Sequence, residues 1–393
     1  MKQYHLFLLA VLFVTTPVAA VRPMTSLFVE HLGANIFEIG IITACYSFAP
    51  LFLAIFSGRV IDRIGEKLPL MIGSIGMGLG MLCPFLFPTT AIFYLSHLLL
   101  GGGQLIALVA VQNGIARGVP KEQRNKAIAT LTLFTSLGLM LGPLIGGYST
   151  EKLGFQFSYL LFATFSLCLF VTGLFVKKKT FGEEDKKKGK VQQEKVKITD
   201  LLFIPGLKQS IIISMLVLSA LDIFNVYYPL YASSIGMSPS AIGLVLTTQA
   251  LASVVTRLFL TTLIHRMGII RLLTVFMVMG ALAYGALPAF ETIAYILIVV
   301  TIIGTGLGMI QPLTIMLTYD FSPKDRTAEV LSIRLAGNRL AQVIIPLMFA
   351  ALSNVTGLGV IFVMKAILLG GGALLGRGIQ NRSEKQPASS SKT

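Results

Sequence analysis

Apolar residues fall in long, nearly unbroken runs along most of this chain, and polar residues gather in short breaks between them. A hydrocarbon layer about 30 Å thick asks for roughly 20 apolar residues per helix. Runs of that length predict spans over residues 5–28, 37–57, 68–87, 91–115, 127–149, 155–176, 209–232, 239–262, 271–289, 292–318, 327–351 and 357–376. The pattern is that of an all-α membrane protein with twelve transmembrane helices. Composition agrees: the 393 residues are 54% hydrophobic and 12% charged, with mean hydropathy +0.81, whereas soluble domains carry about a quarter charged residues. The first run, Lys2 followed by LFLLAVLFVTTPVAA, also has the form of a secretory signal peptide. We read it as a span, because removing it leaves an odd helix count.

Charge placement adds an orientation. One set of alternate loops receives Lys2, the Arg59 to Lys67 group, Arg117 to Lys126, residues 177–208, Arg266, Arg271, Lys324, Arg326 and the C-terminal residues, while the opposite loops receive only Lys152. Basic residues are retained on the cytoplasmic side, so both termini are expected in the cytoplasm and the chain in the cell membrane. The net charge of +15 is then a topology signal. It is no footprint for nucleic acid, since the charges are spread over one membrane face rather than set beside stacking aromatics. Residues 177–208, with their KKK and DKKKGK runs, predict a solvated basic linker that also meets anionic headgroups. The tail, 377–393, predicts disorder. Cys45, Cys83 and Cys168 all fall within spans at no metal-like spacing and are expected to be buried packing residues.

The chain also repeats itself. LGANIFEIG at 32–40 matches IGMSPSAIG at 235–243, an offset of 203 residues. The same offset carries Arg63 and Gly65 onto Arg266 and Gly268, Gly101 and Gly103 onto Gly304 and Gly306, Pro143 onto Pro346, and Gly154 onto Gly357. A duplicated six-helix unit is therefore expected, with bundles at 1–176 and 209–376. Two like halves around an axis along the membrane normal place a cavity between them near the midplane, which rocking exposes to each side in turn. That is transporter architecture.

Several motifs then carry a family resemblance over nearly the whole chain. Gly58-Arg59-Val60-Ile61-Asp62-Arg63-Ile64-Gly65-Glu66-Lys67 resembles the loop signature of the major facilitator superfamily, G-x-L-x-D-R-x-G-R-K, with Glu66 where a basic residue is usual. The resemblance implies the major facilitator fold, two pseudo-symmetric six-helix bundles, and a cytoplasmic gating loop at Gly58, Asp62, Arg63, Gly65 and Lys67, whose basic residues pair across the seam between the halves. The second copy has His265 in place of the acid. In span five, Gly138, Gly142, Pro143, Gly146 and Gly147 are similar to the exporter motif G-x-x-x-G-P-x-x-G-G of the drug/proton antiporter branch, which implies efflux. In span four, His97 stands four residues before Gly101, where the family motif normally has arginine. Proton handling and an interfacial position are its two readings, and its place near the start of the span favours the second.

Polar groups at membrane depth are expensive and are candidates for function. Asp222, about 20 Å into span seven, is the acid placed deepest in any span. It can couple protons or meet a cationic substrate, or it can be the structural partner of a buried arginine, Arg339 among them. Asn225 and Tyr228 follow it at i+3 and i+6. On the analogy that spans one, four, seven and ten line the cavity, Arg22, Gln104, Asp222, Asn225, Tyr228 and Gln311 would face the substrate. Arg257 lies close enough to the end of span eight to snorkel, Arg334 is expected to reach the cytoplasmic surface or meet the Asp62 loop, and Lys365 has no partner legible in the sequence.

The expected function is secondary active transport, proton-coupled export of a small organic molecule by alternating access. The alternatives are a specialised exporter of a metallophore or siderophore-like metabolite, and an uptake permease. No nucleotide-binding loop is present in the sequence. Four His and three Cys are scattered, so neither an enzyme site nor a metal site is expected, and no cofactor. The expected partners are the substrate, protons and the lipid bilayer, with the protein as a monomer.

Overall fold

The computed structural model describes residues 2–120, 123–177, 206–323 and 327–385. Most of the basic linker and the last eight residues lie outside them. Twelve long helices account for nearly all of the described chain: α1 Lys2–His31, α2 Ile36–Ile64, α3 Lys67–Leu86, α4 Thr90–Gly118, α5 Arg124–Leu153, α6 Phe155–Phe175, α7 Leu207–Ser234, α8 Pro239–Arg257, α9 Ile269–Ala286, α10 Ile293–Asp320, α11 Thr327–Thr356 and α12 Leu358–Lys385. Among the described residues eleven of these are long and apolar enough to cross a membrane. Part of α11 has side chains outside the described set. Several boundaries differ from expectation. Helix α2 continues to Ile64, so residues 58–64 of the expected loop are helical and the turn is confined to Gly65 and Glu66. Span eight breaks after Arg257, and its end becomes a short helix, Leu260–Met267, with no buried residue. The last helix continues to Lys385, past the expected start of the tail.

The duplication seen in the sequence is reproduced in backbone geometry. Seven glycines have positive φ, and six of them form three pairs 203 residues apart: Gly33 (88°) with Gly236 (82°), Gly65 (83°) with Gly268 (76°), and Gly154 (80°) with Gly357 (82°). Each pair ends the corresponding helix in both copies, where the left-handed conformation excludes most side chains. The helix starts repeat as well. Asn35 accepts from the Glu38 amide at 2.9 Å and closes a capping box, and at the matching position the Ser238 hydroxyl accepts from the Ala241 amide at 3.3 Å. The LGANIFEIG and IGMSPSAIG repeats are thus two copies of one helix–turn–helix corner.

Close helix approaches repeat at the same offset. A Cβ added to Gly101 on α4 would strike the carbonyl oxygen of Tyr46 on α2, and one added to Gly304 on α10 would strike that of Gln249 on α8. Likewise Gly103 abuts Gly73 of α3, and Gly306 abuts Phe276 of α9. Helix pairs in lipid associate through close backbone approach at small residues. The outward surface is apolar, with Leu167, Leu282 and Ile367 each 62–70% exposed, as lipid contact requires. Cys168 is exposed on that surface, and Cys45 and Cys83 are half-buried, so the expectation of three buried cysteines is corrected.

The structure divides into two compact units. One gathers Met1–Lys195 with Asn225–Thr247 and Pro346–Ala351, and the other holds Val196–Phe224, Thr248–Ile345 and Leu352–Thr393. In the first, α3 packs on α4 and α6, and α1 on α4, α5 and α6; in the second, α9 packs on α10 and α12 in the matching arrangement. The boundary therefore passes through α7, α8 and α11 as well as between Lys195 and Val196. Within the first unit, contacts of these segments with α2 and α5, described below, account for their membership.

Candidate transport site and gates

In the first unit the polar residues of α1, α2 and α4 converge. The Arg22 guanidinium lies over the Tyr46 ring, 4.7 Å from its centroid, and the Tyr46 hydroxyl donates to Gln104 Oε1. Burial under an aromatic face strengthens a cation–π contact and offsets part of the cost of a charge at this depth. Arg22 and Gln104 are thereby joined through Tyr46, a residue not singled out in the sequence. His97 sits beside them, 2% exposed, with its ring 6.4 Å from Tyr46 and 6.5 Å from Phe93. It is a buried residue packed among aromatic rings. Tyr228 is buried and its hydroxyl approaches Met237 Sδ at 3.7 Å, while Asn225 is half-buried.

The glycines of α5 have two separate tasks. Gly138, Gly142 and Gly146, one turn apart, lie against Thr15, Thr16, Ala19, Ala20 and Met24 of α1 with no room for a Cβ. Pro143 and Gly147 face α8: a Cβ on Gly243 would strike the Pro143 carbonyl oxygen, and one on Gly147 would strike the Pro239 carbonyl oxygen. The same contact is made a second time. On α2, Gly40 abuts Ala350 and the carbonyl of Pro346 on α11. Gly40, Pro346 and Ala350 are the residues 203 positions from Gly243, Pro143 and Gly147. The α2–α11 copy adds a hydrogen bond from Tyr227 Oη to Pro346 O at 2.8 Å. Two further bonds tie α8 to α5, from Thr247 Oγ1 to Met140 O at 3.1 Å and from the Ser240 amide to Glu151 Oε2 at 3.0 Å.

The gating loop is anchored within its own bundle. Lys67 Nζ donates to Leu174 O at 2.7 Å and caps the end of α6. Glu66, the departure from the family signature, is 6% exposed and faces Arg117 at 3.9 Å. Gly65 supplies the positive φ of the turn, and Arg63 is exposed. The surroundings of Gly58 and the side chain of Asp62 lie outside the described residues.

In the second unit the buried charges find partners that the sequence left open. Asp222, 3% exposed, lies within electrostatic reach of the Lys365 ammonium on α12 and the Tyr284 hydroxyl on α9. Lys365 is fully buried and donates to Ser219 Oγ at 2.6 Å, and Tyr284 donates to Ala220 O at 2.7 Å. Arg257 does not snorkel: its Nε donates to Gly308 O and its Nη2 to Gln311 Oε1, both at 3.0 Å. Arg334 is 5% exposed and donates to Thr314 Oγ1 at 3.2 Å, rather than reaching the surface. Arg339 donates to Gln342 Oε1 at 2.9 Å.

Comparison with known proteins fits this architecture. The model of the Major Facilitator Superfamily matches residues 7–238 and again 210–393. The chain belongs to that superfamily. Among its relatives, multidrug resistance protein 2 of Bacillus subtilis is 23% identical over 322 residues, covering 79% of each chain. Multidrug resistance protein MdtG of Escherichia fergusonii is 25% identical over 371 residues, covering 89% of this chain and 87% of its own. Among solved structures, a variant of the nucleoside transporter NupG superposes with TM-score 0.81 at 12% identity, over 96% of this chain and 99% of that one. A POT family transporter in complex with 5-aminolevulinic acid superposes with TM-score 0.78 at 14% identity, covering 97% and 96%. At such identities the structures establish the fold, and the superfamily makes this chain a multi-pass membrane transporter.

Proposed function

We propose that the protein is a secondary active exporter that moves a small organic molecule out across the cell membrane in exchange for protons, by alternating access. The observation that carries this reading is the doubled closure: one proline–glycine contact, Pro143 and Gly147 on Gly243, is repeated as Pro346 and Ala350 on Gly40. A duplicated chain that seals by two equivalent contacts can open by breaking both together, as rocking of the two halves demands. With termini in the cytoplasm, these contacts lie toward the outer face. Export is supported by the span-five motif and by the relatives' names, which describe multidrug resistance.

Asp222 is the proposed coupling carboxylate, with Lys365 as its counter-charge. A proton on Asp222 would release the ammonium to Ser219 alone, and losing it would restore the pair. The proposed lining residues of the first unit are Arg22, Tyr46 and Gln104, together with Asn225 and Tyr228, and that of the second is Gln311, which accepts from Arg257. The discriminating experiment compares Asp222→Asn with the neutral double variant Asp222→Asn/Lys365→Met in inverted vesicles, reading substrate-induced proton release. Coupling through Asp222 predicts that the double variant folds and binds substrate but releases no protons. Restored proton release in the double variant would reduce the pair to a structural pin.

A further inference from the structure

The second unit contains a concentration of positive charge that the proposed export reading does not use. Arg257 of α8 and Arg334 of α11 reach the same stretch of α10, where Gly308, Gln311 and Thr314 follow at intervals of three residues. Residues so spaced are neighbours on a helix, so the two guanidinium groups bind successive positions of α10. Every acceptor recorded for them is neutral: a backbone carbonyl, an amide oxygen and a hydroxyl. The surroundings continue in the same vein. Thr318 meets Ser210 at 3.3 Å, and Ser214 donates to Asn338 Oδ1 at 3.0 Å.

Neutral acceptors satisfy donors but not charge. Arginine remains protonated at any accessible pH, and two such groups at membrane depth call for a counter-anion. Among the residues of this unit whose side chains are described, the acids are Asp222, which lies with Lys365 and Tyr284, and Glu291 and Asp320, both exposed near the ends of α10. Arg334 adds an independent sign: it is 5% exposed, and its Nε has no hydrogen-bond acceptor among the described residues. A buried guanidinium edge left open is shaped for a planar oxyanion, which takes two parallel N–H bonds from such a fork.

We propose that Arg257 and Arg334, oriented by Gln311 and Thr314, form the recognition site for an anionic group, carboxylate or phosphate, on the transported molecule. This rests on the transporter reading and narrows its substrate class to organic anions. The anion comes from a solute and not from a lipid headgroup, because Arg334 is enclosed by helices instead of facing the bilayer. A single site of this kind gives the substrate a fixed orientation, while an apolar remainder can vary.

The test uses the full-length protein in phosphatidylcholine nanodiscs, with salicylate, inorganic phosphate and tetraphenylphosphonium as probes and thermal stabilisation as the readout. Salicylate or phosphate is expected to stabilise the native protein. Binding should weaken at least about tenfold in Arg257→Gln and in Arg334→Gln. Arg257→Lys and Arg334→Lys keep the charge without the fork and should fall between, which separates recognition from folding damage. Tetraphenylphosphonium should be indifferent to all four changes. Equal anion affinity in the Gln and Lys variants and the native protein would overturn the site. So would a loss of binding when phosphatidylglycerol is added, which would assign the arginines to a headgroup. If energised vesicles move salicylate and neither Gln variant alters that movement, transport stands and the anion site falls.

Discussion

Lys365→Met is expected to destabilise the α7, α9 and α12 packing by about 3–5 kcal/mol, because it leaves the Asp222 carboxylate buried with its cation gone. Asp222 can escape part of that cost by taking up a proton, which would set the lower end of the range. Neutralising both partners together should recover most of the loss, since a buried ion pair is commonly replaceable by groups of similar volume, whereas half of one is not. The measurement is a double-mutant cycle on unfolding in detergent, with Lys365→Met, Asp222→Leu and their combination. Additive losses would mean that the two groups do not sense each other, contrary to their placement beside Ser219 and Tyr284.

Gly243→Val is expected to be nearly as damaging, but to the conformational cycle and not to folding. A branched side chain at Gly243 runs into the Pro143 carbonyl and the Gly147 backbone. Overpacking of this kind costs about 1–3 kcal/mol, which shifts an equilibrium between open and closed forms by about 5- to 150-fold. The closed form would be depleted, transport would fall in step, and a cysteine placed on the outer half of α8 should label faster. Gly40→Val should act in the same direction through Pro346 and Ala350, whereas Gly102→Ala, whose added Cβ would meet only ordinary contacts at 3.4–3.5 Å, should be nearly silent. Unchanged labelling in Gly243→Val would remove the closure from the account.

Much of this was legible in the sequence for one physical reason. Duplication preserves backbone constraints, and a glycine needed for positive φ or for close approach has few substitutes, so Gly33, Gly65, Gly101 and Gly154 kept register with Gly236, Gly268, Gly304 and Gly357. The same offset also pairs Tyr46 with Gln249, both pressed against a conserved-in-copy glycine, and that was the available signal for Tyr46. Side-chain partners were harder to read. Hydropathy gives the depth of Arg257, Arg334 and Lys365 but not the rotation of their helices, so Arg257 was expected at the surface although α10 offers it Gly308 and Gln311. Lys365 reaches Ser219 across 146 residues of sequence, a pairing that no local pattern encodes.

Glu66 illustrates a departure that its own loop did not explain. A carboxylate replaces the basic residue of the family signature, and the compensation lies at the end of α4, where Arg117 comes within 3.9 Å. Charge reversal in one loop has been met by charge on a neighbouring helix. The loop is thereby tied to its own bundle through Glu66 and Lys67.

The central claim, proton-driven export, is tested most directly in proteoliposomes of the purified protein under an imposed pH gradient. The lumen is made acidic relative to the bath, and labelled organic anions and cations are supplied outside to the cytoplasmic face. The account predicts that at least one solute accumulates against its gradient, that lumenal protons leave with it, and that dissipating the pH gradient abolishes both. Accumulation that persists without the gradient, or solute movement with no proton movement, would contradict it.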